Sequence, residues 1–108
     1  MAGLQVDVLR VKNGKRGIEI GVKIFNDHDL KVSFDLCDVR MKCDKELSPA
    51  NPKGQSVRLD IQPKTYREFR WTFPLEAPLP PGSYTIEIKS LYELDVLLPN
   101  KVEFQFNV

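Results

Sequence analysis

Apolar and polar residues alternate along most of this chain with a period of two. In the clearest run, isoleucine or valine occupies every second position from 18 to 24. Such alternation is typical of a β-strand that buries one face and exposes the other. The runs predict seven strands, near residues 4–12, 17–26, 30–42, 56–62, 65–74, 83–91 and 101–108. Because each run has a single apolar face, we expect two antiparallel sheets packed over one core.

The inward-facing positions of these strands form the predicted core. Trp71 shares the parity of Phe69 and Phe73, so we expect it to be buried and not to stack on a ligand. The full predicted core is Val6, Ile18, Ile20, Val22, Ile24, Val32, Phe34, Leu36, Leu59, Ile61, Phe69, Trp71, Phe73, Tyr84, Ile86, Ile88, Phe104 and Phe106.

The third strand breaks the alternation. After Leu36 the apolar positions move to Val39 and Met41, and a slip of one residue reverses which side chains face the core. The sequence therefore predicts a β-bulge near Cys37 and Asp38, or a strand that crosses from one sheet to the other at that point.

Two segments are predicted to be loops. Residues 44–54 end in a cluster of proline, asparagine and glycine, which favours irregular turns. Residues 91–98 are ambiguous, because the four leucines fit about two helical turns whereas Tyr92, Leu94 and Val96 fit strand alternation. We expect this second segment to pack leucine side chains over one end of the core, with a single helical turn as the alternative.

Two short motifs resemble known modules. Residues 79–84, Leu-Pro-Pro-Gly-Ser-Tyr, resemble the L-x-P-G-x-Y edge of bacterial and archaeal immunoglobulin-like and fibronectin type III-like domains. Residues 22–26, Val-Lys-Ile-Phe-Asn, are similar to the V-x-V-x-N strand end of the same domains. The order of elements is also similar to the bacterial intracellular proteinase-inhibitor family. The resemblance implies an all-β fold, a seven-stranded antiparallel immunoglobulin-like β-sandwich. It implies no function, because glycine and proline serve the turn itself.

Length and charge narrow the function classes. The 108 residues fit a single domain spanning 1–108, and the net charge is +1. Nucleic-acid binding is not expected because it depends on concentrated positive charge, and no apolar stretch is long enough for membrane insertion. If the chain is complete, we expect a cytoplasmic protein. If it is a piece of a longer protein, residues 1–3 would be vector-derived and the compartment stays open.

The candidate reactive residues favour a structural interpretation. Cys37 and Cys43 are six residues apart, so they can form a disulfide only if a turn separates them, and two thiols are favoured. His28 lies in Asn-Asp-His-Asp, a composition typical of a hairpin tip. The spacing of the cysteines also does not match a zinc site. Motifs for phosphate binding, serine hydrolysis or dithiol chemistry are absent from the sequence, so we expect no enzyme, no metal and no cofactor.

A binding module is the favoured function. The candidate binding residues are the basic and aromatic positions Arg58, Lys64, Tyr66, Arg67, Arg70 and Tyr92. We expect a protein partner that binds end loops or an unpaired edge strand, and the last strand, 101–108, is a candidate edge through which a homodimer could form.

Two alternative functions remain open. One is a carbohydrate-binding module that uses Tyr66, Tyr92 and the loop 49–55. The other is a proteinase inhibitor that presents the proline-rich loop 74–82, because prolines lower the entropic cost of ordering such a loop.

Overall fold

Strands form nearly all of the regular structure. A computed structural model describes residues 3–43, 46–49, 57–99 and 101–108. The strands within these ranges are β1 (Leu4–Asn13), β2 (Gly17–Asn26), β3 (Val32–Asp35), β4 (Val39–Lys42), β5 (Glu46–Leu47), β6 (Arg58–Ile61), β7 (Tyr66–Pro74), β8 (Ser83–Ile88), β9 (Tyr92–Glu93), β10 (Val96–Leu97) and β11 (Val102–Asn107). A single 3-10 turn, Leu36–Asp38, lies between β3 and β4.

The described strands form three antiparallel sheets. Sheet 1 has the order β1-β2-β7, sheet 2 has the order β10-β9-β3-β6, and sheet 3 has the order β11-β8-β4-β5. The longest uninterrupted ladder joins β2 to β7, from the pair Gly17–Pro74 to the pair Phe25–Tyr66. The prediction of an all-β protein with antiparallel sheets is confirmed.

The predicted break in the third strand is confirmed, and it separates sheet 2 from sheet 3. Asp35 ends β3, and its side chain accepts a hydrogen bond from the Cys37 backbone at 2.8 Å. An aspartate in this position favours a tight turn over a continued strand because it satisfies a backbone N–H locally. The chain then resumes as β4, which pairs with β8, whereas β3 pairs with β6 and β9.

Sheets 2 and 3 are two halves of one layer around this bulge. Ser33 pairs with Tyr92, and Val39 pairs with Ile88. Five residues, 34–38, separate these pairs on one strand, but only three residues, 89–91, separate them on the other. The three-residue 3-10 turn accommodates the two extra residues, and a hydrogen bond of 2.9 Å from the Lys89 N–H to the Asp38 carbonyl bridges the gap.

One apolar core fills the space between sheet 1 and this second layer. An aromatic cluster joins them, because Phe34 of β3 meets Phe69 and Trp71 of β7 edge-on, with ring centroids 5.5 and 6.2 Å away. The buried apolar residues are Leu4, Ile18, Ile20, Val22, Ile24, Val32, Phe34, Val39, Met41, Ile61, Phe69, Trp71, Phe73, Ile86, Ile88, Leu91, Val102 and Phe106.

The predicted core needs two corrections. Five predicted members are only partly buried: Val6, Leu36, Leu59, Tyr84 and Phe104. Most of them lie on β1, β6 or β11, which have a strand neighbour on one side only. Five buried residues were not in the predicted set: Leu4, Val39, Met41, Leu91 and Val102. Val39 and Met41 face the core because the bulge reverses the parity of β4.

The two predicted loops both contain short strands. Glu46 and Leu47 form β5, which pairs with the end of β4. The rest of the predicted loop 44–54, apart from residues 48 and 49, lies outside the described residues. Residues 91–98 form a hairpin of β9 and β10, and of the four leucines Leu91 is buried, Leu98 is half-buried, and Leu94 and Leu97 are exposed. The described residues therefore contain eleven strands where seven were predicted, because one strand is interrupted and three short ones are added.

Candidate interaction surface at one end of the sandwich

Three connecting segments meet at one end of the molecule. They are the turn after β2 (residues 27–31), the turn between β6 and β7 (residues 62–65), and the β9–β10 hairpin (residues 92–97). We call the surface that they form the hairpin end. Backbone hydrogen bonds connect the segments: Lys64 donates to Asn26 at 2.9 Å, and Leu94 donates to Lys31 at 2.8 Å.

A buried asparagine supports the hairpin end from below. The Asn26 side chain is fully buried at the end of β2, and its amide nitrogen donates to the Leu30 carbonyl at 2.9 Å and to the Ile61 carbonyl at 3.0 Å. Its amide oxygen accepts a hydrogen bond of 2.8 Å from the His28 backbone. Asn26 therefore fixes the following turn against β6, which gives the asparagine of the V-x-V-x-N motif a structural role.

His28 connects the turn to the hairpin. Its Nδ1 lies 2.7 Å from a carboxylate oxygen of Glu93, and Gly3 packs against the other side of the ring. A Cβ added at Gly3 would lie 2.5 Å from the His28 Nε2, so only glycine leaves room for this ring. The predicted hairpin tip at His28 is wrong, because the turn joins β2 of sheet 1 to β3 of sheet 2; the His28 side chain also links the residue before β1 to β9.

The hairpin end carries a network of charged side chains. Arg58 donates to Asp95 at 3.0 Å, to Asp60 at 3.3 Å and to the Leu94 carbonyl at 3.2 Å. Lys64 lies 3.0 Å from Asp27. A hydrogen bond from the Ser33 hydroxyl is the main reason that the pKa of Asp60 is lowered, and nearby Lys31 and Arg58 lower it further.

Exposed apolar side chains lie within this charged network. Val96 and Leu97 of β10 are 68% and 58% exposed, and Leu94 at the hairpin tip is 46% exposed. Leu30, in the neighbouring turn, is also exposed. The pattern of alternation did not predict this surface. Residues 96 and 97, which follow an aspartate, are both apolar and therefore interrupt the strand alternation, and this interruption could have indicated the surface.

Backbone strain is concentrated at the same end. Within the described part of the chain, the non-glycine residues with positive φ are Lys64 (57°) and Leu94 (52°). The left-handed conformation costs an L-residue about 1–2 kcal/mol, and such strain is often found at binding sites. Leu94 at the hairpin tip is therefore unfavourable both because its backbone is strained and because its apolar side chain is exposed.

A cleft opens beside the hairpin end where β3 stops. Its volume is about 430 Å³, and its lining includes Asp35, Cys37, Asp38, Arg58 and Tyr92. A hydrogen bond to Asp35 is the largest of several effects that raise the pKa of the Cys37 thiol. The thiolate is the nucleophilic form of cysteine, so this environment makes Cys37 less reactive at neutral pH. No disulfide joins Cys37, which is exposed, to Cys43, which is half-buried.

The six predicted binding residues do not form one surface. Arg58 and Tyr92 line the cleft, and Lys64 belongs to the adjacent turn. The other three residues, Tyr66, Arg67 and Arg70, lie on β7 in sheet 1.

The β7 members of the predicted set face solvent among side-chain partners. The Lys23 ammonium lies 4.1 Å from the centre of the Tyr66 ring, and Arg70 lies 3.5 Å from Glu19. Arg67 donates to the Asp60 carbonyl at 2.8 Å. Tyr66 is on sheet 1 and Tyr92 is on sheet 2, so the two tyrosines do not form a common platform for a sugar.

The structure describes the whole of the loop 74–82, predicted for a proteinase inhibitor, but little of the loop 49–55, predicted for a carbohydrate-binding module. In the loop 74–82, Asn13 both donates to and accepts from the Leu79 backbone, at 2.9 and 3.1 Å, and Leu75 donates to Arg16 at 3.1 Å. These bonds hold both halves of the loop against the β1–β2 turn. In the loop 49–55, Pro49 is buried and residues 50–55 lie outside the described part of the chain.

Neither a metal-binding cluster nor a membrane-spanning helix occurs among the described residues. No group of three or more histidine, cysteine, aspartate or glutamate side chains in residues 3–43, 46–49, 57–99 and 101–108 is placed to hold a metal ion. Across the same ranges, no helix has the length and apolar character to span a bilayer.

Comparisons with known proteins identify a fold but no family. No protein-family model and no curated protein matches the sequence. Among solved structures, a candidate lipoprotein (ycdA) of Bacillus subtilis matches with a TM-score of 0.66 and 14% identity over 98% of this chain and 37% of that protein. The β-glucosidase of Kluyveromyces marxianus, in complex with glucose, matches with a TM-score of 0.48 and 16% identity over 97% of this chain and 14% of that enzyme. This chain thus spans well under half of either protein, and the first match supports a β-sandwich fold.

Proposed function

We propose that this chain is an immunoglobulin-like β-sandwich that acts as a non-catalytic protein-interaction module and binds its partner through the hairpin end. The fold assignment is supported by strand order. If β3 and β4 are taken as one strand interrupted by the bulge, the seven main strands form an antiparallel three-stranded sheet and an antiparallel four-stranded layer. β6, the fourth of these main strands along the chain, pairs with β3 in the second layer. In antibody constant domains the fourth strand lies instead in the sheet that corresponds to sheet 1.

A tyrosine at the start of β8 also supports the immunoglobulin-like assignment. The Tyr84 hydroxyl donates to the Pro80 carbonyl, four residues earlier, at 2.6 Å. A tyrosine that closes the turn before this strand is a recurrent feature of immunoglobulin-like sandwiches. The L-x-P-G-x-Y resemblance therefore corresponds to a hydrogen bond that fixes the turn.

The exposed β10 side chains carry the functional proposal. Val96 and Leu97 are both exposed, on opposite faces of a hairpin whose backbone and side chains are tied to two other segments. Contiguous exposed apolar residues surrounded by charged ones are typical of a protein-binding surface. The raised pKa of the Cys37 thiol favours a non-catalytic role for the adjacent cleft.

The test compares three forms of the domain as bait. Wild-type protein, the double variant Val96→Ser/Leu97→Ser, and the control Leu9→Ser are immobilised and exposed to an extract of the source organism. Leu9 is a suitable control because it is similarly exposed, at 54%, but lies in the bulge of β1. All three forms should have the same thermal melting temperature within a few degrees, since the altered side chains are mostly in solvent.

The expected result is a protein retained by the wild type and by Leu9→Ser but lost with the double variant, as quantified by mass spectrometry. If every retained protein binds all three forms equally, or if none is retained, the proposed function is wrong.

A further inference from the structure

The outer edge of β10 is open to another strand. Within the described residues, β10 pairs only with β9, through Val96–Glu93 and Leu97–Tyr92. An edge strand presents unpaired backbone donors and acceptors, and a partner segment can add to it in extended conformation. Val96 and Leu97 point to opposite faces of the hairpin, so each would contact side chains of the added strand on its own face.

The charges around β10 favour a basic partner. The three segments of the hairpin end contain four carboxylates, on Asp27, Asp29, Glu93 and Asp95, but only two permanent cations, on Lys31 and Lys64. The two most exposed side chains in the ion pairs of this network are both acidic: Asp29 is 96% exposed and Asp95 is 90% exposed. Complementary charges guide association and select partners.

The same charges disfavour pairing between two copies of the chain. A contact between two copies across β10 would bring together two hairpin ends of the same negative charge. Like charges placed opposite each other destabilise strand pairs. A different molecule with basic residues is therefore the better occupant of this edge.

The hairpin is also organised before it binds. Its tip is fixed through the Leu94 N–H to Lys31, and Arg58 holds the Leu94 carbonyl. The N–H of Leu98 donates to the Leu91 carbonyl at 2.8 Å and closes the base. A binding site fixed in this way loses little conformational entropy when a ligand binds.

We propose, on the basis of the proposed function, that the partner is an extended protein segment with alternating apolar side chains flanked by lysine or arginine, added as a strand to the edge of β10. The apolar side chains contact whichever of Val96 and Leu97 shares their face of the sheet, and the basic flanks meet the exposed carboxylates of Asp29 and Asp95.

The test uses synthetic peptides and the intact chain. A ten-residue peptide with alternating valine and threonine, flanked by two lysines at each end, is titrated into isotopically labelled protein at low salt. A matched peptide carries glutamates at the flanks. Amide shifts in the NMR spectrum should change at residues 95–98 with the lysine peptide, and its affinity should exceed that of the glutamate peptide by about fivefold or more, since each exposed charge pair contributes modestly.

A paired set of variants isolates the charge contribution. Asp29→Asn/Asp95→Asn should weaken binding of the lysine peptide by about fivefold. The control Asp7→Asn/Glu76→Gln removes two exposed carboxylates elsewhere and should leave the affinity unchanged. Raising the salt concentration to 0.5 M should reduce the difference between the two peptides.

The remaining outcomes would overturn this inference. They are equal affinity for the two peptides, shifts confined to another surface, no shift at millimolar peptide, or light scattering that shows a dimer abolished by Val96→Ser/Leu97→Ser. In each of these cases the capture experiment with the same double variant still decides the proposed function separately, because it does not assume the partner's charge or conformation.

Discussion

Replacing Asn26 should remove more stability than its size suggests, because one buried amide supports three backbone groups. Asn26→Ala leaves the Leu30 and Ile61 carbonyls and the His28 N–H without their side-chain partner. Each such hydrogen bond contributes about 1 kcal/mol net, and an unsatisfied buried group costs about 1–3 kcal/mol. Since water can reach the turn at Leu30 after the change, we expect a loss of about 2–4 kcal/mol in the free energy of unfolding.

Urea denaturation followed by tryptophan fluorescence measures this loss directly. Trp71 is the only tryptophan and is buried, so its emission reports unfolding of the whole core. Asn107→Ala is the matched control, because Asn107 is exposed on β11, and it should change the stability by less than about 0.5 kcal/mol.

The charge variant Asn26→Asp separates hydrogen bonding from volume. The introduced carboxyl keeps the acceptor for His28 but, when ionised, faces two carbonyl oxygens in a buried site. Its pKa in the folded state should therefore rise above the ordinary value of about 3.9. A raised folded-state pKa means that, relative to the wild type, this variant is least destabilised below about pH 4 and loses stability as the pH rises through the folded-state pKa. A loss below 1 kcal/mol for Asn26→Ala, or an Asn26→Asp variant without this pH dependence, would refute the assigned role of the amide.

Three further predictions concern the core, the acid limit and the turn before β8. Trp71→Ala should cost about 3–5 kcal/mol in urea denaturation followed by circular dichroism, whereas Tyr66→Ala, at an exposed position, should cost less than about 1 kcal/mol; similar losses would contradict the core assignment. Hydrogen bonds from two lysines, first of all Lys42, lower the pKa of Glu87 from 4.5 to about 2, so its contribution is present above pH 4.5 and is lost as the pH falls towards 2. When the pH is lowered from 4.5 to 2, the Glu87→Gln variant should therefore lose up to about 3 kcal/mol less stability than the wild type. Melting temperatures measured across this pH range test the prediction, and parallel curves for the two proteins would show that folding does not stabilise the Glu87 carboxylate. Tyr84→Phe should lower the free energy of unfolding by about 1 kcal/mol by removing the hydroxyl bond to residue 80, and an unchanged urea midpoint would argue against that bond.

The alternation of apolar and polar residues was enough to predict the main strands and most of their inward faces. Period-two alternation located β1, β2 and β7 within one or two residues and placed Trp71 in the core, because a strand with one wet face must alternate. The shift of parity after Leu36 located the bulge. These features depend on neighbouring residues in the chain, so the local pattern is sufficient to find them.

Tertiary structure decided which segments meet and which side chains stay exposed. The contact between His28 and Glu93 joins residues 65 positions apart, and no local pattern encodes that pairing. The four leucines of residues 91–98 were all candidates for burial, but the hairpin geometry buries Leu91 and leaves Leu97 in solvent. The charged residues of the predicted site were dispersed over two sheets for the same reason. Burial and proximity depend on how the sheets pack, which is a property of the whole chain.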